Sequence, residues 1–462
     1  MRFDSEVELP PRATNAAYIE LQRRLESAAV SYPRKIPIAI HHARNEMVTD
    51  MEGREYIDFL TGAGVLPLGH NPSFLVEIAK RQLDTITHGL DFPTEAKMDF
   101  MEQHLSMLPE SLQGKYKMHF CGPTGADAVE AAIKLAKFNT QGGEVISFIG
   151  GYHGCTQGAL SLTTDRKLKE GVQNLIPGVH YFPFSYCYSC PFGLERASCG
   201  NTCASYFSRV MGDSHNGMGK IAAVILECVQ GEGGVIPVKP ALMQAVYRFT
   251  QEQKIPLIID EVQTGCGRTG SWFAFEEYGI EPDIIVMSKA ISGIGAPCAF
   301  ILYKKHLDTW SAGKHIGTFR GNNMAFATGA EFVRFAKRSN LLGNVRERGL
   351  ELMQALKALA VAHGFVGDVR GKGLMLGVEI VVPDSARRSP KTARLLQQYL
   401  VESGLIVELG GRDSSTIRLL PPLNISTESV RRAISIMESV FQRVDAEHHQ
   451  HAISYETGDY AI

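Results

Sequence analysis

The 462-residue chain has no uninterrupted apolar stretch approaching the roughly 18 residues of a membrane span, and its start, MRFDSEVELPPRATN, has no apolar run after its charges. A spanning helix and a secretory signal are therefore not expected, and the compartment these absences imply is the cytoplasm. Neither charge is in excess: 47 Lys and Arg against 49 Asp and Glu give a net charge of -2. Nothing electrostatic favours nucleic acid or an anionic membrane as partner, so a small-molecule substrate is expected. Internal repeats and long low-complexity segments are also missing. So is the phosphate loop G-x-x-x-x-G-K-[ST], because the four Gly-Lys pairs at 114, 219, 313 and 371 run into Tyr116, Ile221, His315 and Gly373 rather than Ser or Thr. No G-x-G-x-x-G stands between a strand and a helix, which removes the dinucleotide fingerprint as well.

What is present is a 44% hydrophobic composition, enough for a sizeable core. From about 115 to 320, short apolar runs (KMHF, EVISFI, AAVILE, LIID, DIIVMS, AFILY) alternate with helical patterns such as ADAVEAAIKLAKF. Continuous apolar strands separated by helices imply an α/β fold with a mostly parallel sheet covered on both faces. Ligands gather at the carboxyl ends of such strands, which collects Tyr152, His153, Glu227, Asp260 and Lys289 into one candidate site. Before this block lie an amphipathic pattern (AAYIELQRRLESAAV) and a hairpin-like MVTDMEGREYIDFLTG; after it come long helices, GLMLGVEIVV and TIRLLPP. The expected division is an N-terminal segment 1–66, a large domain 67–319 and a smaller α+β domain 320–462. A polar, irregular tail is expected from about 447, its histidines solvated rather than metal-binding.

Nine cysteines, an odd number, argue for reduced thiols. Four of them, Cys187, Cys190, Cys199 and Cys203, fall in an insertion at 186–204 as C-x2-C, x8, C-x3-C. Zinc knuckle, disulfides and free thiols all remain open there, although the short middle spacing is unlike the usual zinc ribbon. No metal ligand is assigned.

In LIIDEVQTGCGRTG, a buried-type strand delivers Asp260 and Glu261 to its end. With no phosphate loop, a magnesium role for them has no support, whereas a carboxylate that sets the charge of an organic cofactor does. In FCGPTGADAVEAAIKLAK, a strand runs through a Gly-Pro turn into Thr124, Gly125 and Ala126. These open a helix whose first N–H groups suit an anion, with Thr124 alternatively a plain cap. Lys289, in DIIVMSKAISGIGAP, ends a strand too apolar for the surface. Partial burial there would favour a neutral, nucleophilic amine. An anion cradle, an acid and an amine together match what pyridoxal phosphate requires.

These residues resemble the class III (ω-amino acid) aminotransferases, pyridoxal phosphate enzymes of fold type I. The motifs GPTGADAVEAA, GGYHG, ILECVQGEGG, LIIDEVQTGCGRTG, MSKAISG and GTFRGNNMAF carry the resemblance, in order, from residue 62 to 426. It implies that Lys289 is the Schiff-base and proton-shuttling lysine and that Asp260 pairs with the pyridine nitrogen. Val262 would pack under the ring, Tyr152 stack above it beside His153, and Gln263 bond its phenolic oxygen. Thr124, Gly125 and Ala126 would hold the phosphate. Thr318 would reach the phosphate of a neighbouring subunit, making the unit a homodimer. Arg418 would bind the α-carboxylate of 2-oxoglutarate, with Glu232 pairing it when an ω-amine is bound, while Glu227 is given only a structural role.

Cys155 stands where ornithine and 4-aminobutyrate enzymes present an arginine. The resemblance is instead to the branch that passes the 4-amino group of L-2,4-diaminobutyrate to 2-oxoglutarate, giving an aldehyde and glutamate by a ping-pong route. Two alternatives stand beside it: another ω-amino acid or amine donor, and an amino-acid racemase or epimerase of the same family.

Overall fold

The computed structural model describes residues 14–383 and 385–451, with side chains through 447. Seven strands build the principal sheet: β1 (Tyr116–Phe120), β2 (Glu144–Phe148), β3 (Val179–Phe182), β4 (Ile221–Leu226), β5 (Leu257–Asp260), β6 (Ile284–Met287) and β7 (Phe300–Lys304). Their order is β1-β7-β6-β5-β4-β2-β3. All pairings from β6 to β3 are parallel, and β7 runs antiparallel to both β6 and β1. The expected apolar runs form six of these strands. The edge strand β3, VHYF, has mixed polarity and a half-exposed burial pattern, so no apolar run marks it.

The two faces of β5 and β6 explain why the runs are unbroken. Ile258, Ile284 and Val286 pack with Ala128, Val129 and Ala132 of the helix Gly125–Thr140, whereas Leu257, Ile259 and Ile285 belong to the larger core on the opposite face. Each of the buried isoleucines contributes about 1.5–3 kcal/mol by leaving water. Alternation therefore sends Asp260 to the face of that helix and Glu261 to the other.

A second, antiparallel sheet joins Val366–Lys372, Met375–Ile380, Thr416–Leu419 and Glu408–Gly410, with helices Leu341–Ala362, Pro390–Glu402 and Thr427–His451 around it. The hairpin-like pattern near the N-terminus is a hairpin, Met47–Asp50 with Glu55–Asp58. Its second strand pairs in parallel with Leu405–Ile406, which ties the chain's beginning to its C-terminal third.

Three details differ from expectation. The first helix is Asn15–Leu25, so the SAAV end of its amphipathic pattern is not helical. The last helix continues to His451, so the His-rich start of the supposed irregular tail is helical, and residues 452–462 lie outside the described residues. The helix Asn323–Arg338, counted by sequence with the C-terminal part, packs on Ser73–Thr85 and Glu95–Leu105 of the preceding segment, for example through Phe335 against Phe74. Among the described residues, no helix is long and apolar enough to cross a membrane.

Candidate active site

Parallel register aligns the strand ends. Ile259 lies opposite both Leu226 and Ile285, and Asp260 opposite Val286. Asp260, Glu227 just past β4, the Tyr152–His153 turn after β2 and Lys289 after β6 therefore share one edge.

Asp260 is buried. Its Oδ2 lies 2.7 Å from His153 Nδ1, and its Oδ1 accepts the Val262 N–H at 3.1 Å. Burial disfavours a charged His153, but the hydrogen bond and charge of Asp260, with Glu227, outweigh it and lift the imidazole above its usual range. Glu227 is itself pushed up to about 7 by burial. It accepts the Tyr152 N–H at 3.0 Å and the Gly231 N–H at 2.8 Å, clamping the GGYHG turn to the VQGEGG turn. Glu261, on the far face, accepts from Thr264 Oγ1 and from Phe275 N at 3.0 Å. Of the two adjacent carboxylates, only Asp260 faces the site.

Lys289 is held with φ +50°, a left-handed conformation that costs a non-glycine residue roughly 1–2 kcal/mol. Its half-buried side chain makes no hydrogen bond or ion pair among the described residues. Burial brings its amine below the ordinary lysine value, Arg418 adding to the effect while Glu232, Glu408 and Asp260 oppose it.

Thr124 caps the helix Gly125–Thr140, its hydroxyl accepting from Asp127 N. The cap leaves the N–H groups of Gly125 and Ala126 without a hydrogen bond among the described residues. A Cβ on Gly125 would lie 3.0 and 3.1 Å from the two Val262 methyls, so glycine here lets the helix end close on Val262. Tyr152 is half-buried, its hydroxyl 3.5 Å from Cys155 Sγ, and burial followed by that contact raises its pKa.

Arg418 is fully buried. Nη1 meets Glu232 Oε1 at 2.6 Å and Glu408 Oε2 at 3.1 Å, and Nη2 donates to Gln263 Oε1 at 3.0 Å, leaving Nε without a partner. Burial opposes the guanidinium charge, but the two carboxylates outweigh it and raise its pKa. Burial alone would raise the Glu232 carboxyl; Arg418 and Lys289 outweigh that and hold it below its usual range. Gln263 Nε2 reaches the Ala63 carbonyl at 3.1 Å, and any side chain on Gly231 would overlap Gln263 Oε1. Glu408 and Tyr32, whose hydroxyl donates to Glu408 Oε1 at 3.0 Å, complete this ring. Sequence reasoning missed both, since neither stands in a chemistry-bearing motif.

Thr318 lies apart from these groups, on an exposed segment where its carbonyl accepts from His88 Nε2 at 2.9 Å. The four cysteines of 186–204 are free, and Cys203 lies in the first turn of the helix Thr202–Gly212.

Residues 28–441 match the model of the family "Aminotransferase class-III". The chain is 44% identical over 442 residues to a diaminobutyrate–2-oxoglutarate aminotransferase of Rhizobium meliloti, covering 94% of both chains. It is also 44% identical to the enzyme of that name from Haemophilus influenzae, over 90% of this chain and 92% of that one. Among solved structures, an (S)-enantioselective ω-transaminase of Thermomicrobium roseum superposes with a TM-score of 0.83 at 26% identity, covering 94% of this chain and 99% of that one. With a fold type I architecture, a family match over residues 28–441 and 44% identity to relatives along nearly its whole length, the chain belongs to the class III aminotransferases.

Proposed function

We propose that this aminotransferase uses pyridoxal 5'-phosphate to move the terminal amino group of an ω-amino acid, first of all L-2,4-diaminobutyrate, to 2-oxoglutarate, giving an aldehyde and glutamate. The observation that carries the reading is the buried Arg418 capped by Glu232 beside an unpaired Lys289. A guanidinium fork suits a carboxylate, and a removable acidic cap lets one pocket serve two substrates of different charge. The names of the two 44%-identical relatives support the donor and acceptor.

The residues fit the cofactor. The free N–H groups of Gly125 and Ala126 at the helix N-terminus would hold its phosphate, the close-packed Val262 one face of its ring and Tyr152 the other. Asp260 would take the ring nitrogen, Gln263 the phenolic oxygen, and Lys289 the aldehyde carbon. When bound, the cofactor supplies the electron sink for amino transfer. Lys289 Nζ, whose hold on a proton burial weakens, would take the proton from the donor's amine-bearing carbon. Asp260, oriented by His153 Nδ1 and the Val262 N–H, would face the ring nitrogen and favour a proton there. Glu232 covers Arg418 while the ω-amine end is presented, then swings aside for the α-carboxylate of 2-oxoglutarate.

The unit is a homodimer in this reading, with Thr318 reaching the neighbouring site. Supporting it, Ile316 (71% exposed) and Phe319 (68%) flank Thr318, and Leu90 and Phe92 stand exposed close to His88. Two observations support the division into 1–66, 67–319 and 320–462: the seven-stranded sheet lies wholly within 67–319, and Leu405–Ile406 pairs with Glu55–Asp58, so the N-terminal segment packs with the C-terminal part.

The test is glutamate formation from L-2,4-diaminobutyrate and 2-oxoglutarate by the cofactor-loaded enzyme, with Lys289→Ala as control. Multiple turnover is expected for the wild type and none for the variant. Turnover by Lys289→Ala would sink the assignment of the lysine. Conversion of an amino acid's configuration without consumption of 2-oxoglutarate would move the enzyme to the racemase alternative.

A further inference from the structure

One side-chain cluster takes no part in the site described. His119 and Cys121 are two residues apart on β1 and its continuation, so their side chains share a face. The exposed stretch before Thr318 folds back to set His315 against them. One ligand atom from each of His119, Cys121 and His315 lies within 4.8 Å of the others, the one such trio of potential metal ligands among the described residues. Cys121 is buried at the base; His119 and His315 line a cavity of about 510 Å³.

We propose that His119, Cys121 and His315 form a binding site for a zinc ion, its fourth position open to this cavity. Two imidazoles and a thiolate are a donor set that zinc takes tetrahedrally. Bonds of roughly 2.0 Å to nitrogen and 2.3 Å to sulfur imply ligand spacings of about 3.5 Å, so side-chain movements of about 1 Å close the set. Asp127 Oδ2, 3.4 Å from His315 Nε2 and fixed by the Gly122 N–H at 2.5 Å, supplies the outer carboxylate that orients a ligating histidine. The charges balance as well. The Cys121 thiolate and Asp127 together offset a divalent ion, and Arg320, whose Nη1 lies 3.4 Å from His119 Nε2, is already paired with Asp91 at 2.7 Å. Binding exchanges the Cys121 proton for the metal, so one proton leaves per ion and affinity weakens at low pH.

The site pins the segment before Thr318 to the strand that leads into the Gly125–Ala126 cradle. It is independent of the 186–204 cysteines, where no three sulfurs reach the same proximity.

The experiment is equilibrium dialysis of the holoenzyme against zinc, with metal content measured per chain, and the visible spectrum after cobalt substitution. One ion per chain and a thiolate-to-cobalt charge-transfer band are expected. Cys121→Ser should abolish the band. His315→Gln, which keeps a polar side chain of similar reach and is checked by an unchanged thermal melt of the metal-free protein, should weaken zinc by more than the about 10–100-fold typical of losing an outer-shell partner. Cys187→Ser and Cys190→Ser should change neither readout. The proposal is overturned if no ion is retained, if Cys121→Ser and His315→Gln bind zinc like the wild type, or if binding is lost only with Cys187 and Cys190.

Discussion

Replacing Glu232 by Gln tests the acidic cap on Arg418. The substitution preserves shape and one acceptor oxygen but removes the charge from the 2.6 Å contact. Arg418 stays compensated by Glu408 at 3.1 Å, so the fold should survive. In a partly desolvated setting such a pair would count for about 4 kcal/mol at an effective dielectric of 20. Glu232 is 37% exposed, however, and water screens it, so about 1–2 kcal/mol is the working figure. The α-carboxylate of 2-oxoglutarate must displace this cap, so KM for 2-oxoglutarate should fall by roughly 5–30-fold at little change in kcat. The donor half-reaction should move the other way. With Arg418 uncapped, the donor's own carboxylate competes for it, the α-amino group reaches Lys289, and the share of transfer from the terminal amine drops. Separate half-reactions, each followed by stopped-flow absorbance, together with product identification, measure both effects. If KM for 2-oxoglutarate is unchanged or rises while donor regiochemistry holds, Glu232 does not gate Arg418.

Gly125→Ala should leave folding stability intact or slightly improved, since alanine suits a helix better by about 1 kcal/mol, yet crowd Val262 at 3.0 Å and weaken cofactor affinity. Adding Val262→Ala should recover part of that affinity in a cofactor titration, and no recovery would separate the two residues. Glu261→Gln addresses the second acid of LIIDEVQTGCGRTG. Burial raises its folded pKa from 4.5 to about 7, so the native state binds the extra proton and this group costs stability as pH rises through that window, on the order of 3 kcal/mol at most. Denaturant melts at pH 5 and 7.5 should show the variant gaining on the wild type at the higher pH, with a parallel pH dependence counting against the burial argument. Thr318→Ala should lower cofactor retention on dialysis without changing the dimer seen by light scattering, and a monomeric wild-type enzyme would refute the shared-site reading.

Much of the site is legible because its residues terminate motifs whose local pattern is strong. LIID and DIIVM are short, rich in β-branched residues and flanked by helical patterns, which marks them as strands buried on both faces, and the residues that end such strands stand at the sheet edge. Asp260 and Lys289 are thus placed by their own neighbours. The cap at Thr124 is equally local. By contrast β3 lacks an apolar run, and the helical continuation to His451 is hidden behind a polar composition.

The sequence by itself determined the α/β class, the lysine and acid at the strand ends and the capped helix Gly125–Thr140, because each depends on local spacing, and the family, because its motifs recur in order along the chain. The resemblance singled out Asp260 of the two adjacent carboxylates, but the physical reason came from tertiary structure: it depends on which sheet face carries the helix Gly125–Thr140. It also decided that Glu408 and Tyr32 close the ring around Arg418, and that His315 meets His119 and Cys121. Those groups are distant along the chain, and no periodicity encodes such approaches; only the packing of the finished sheets brings them within reach.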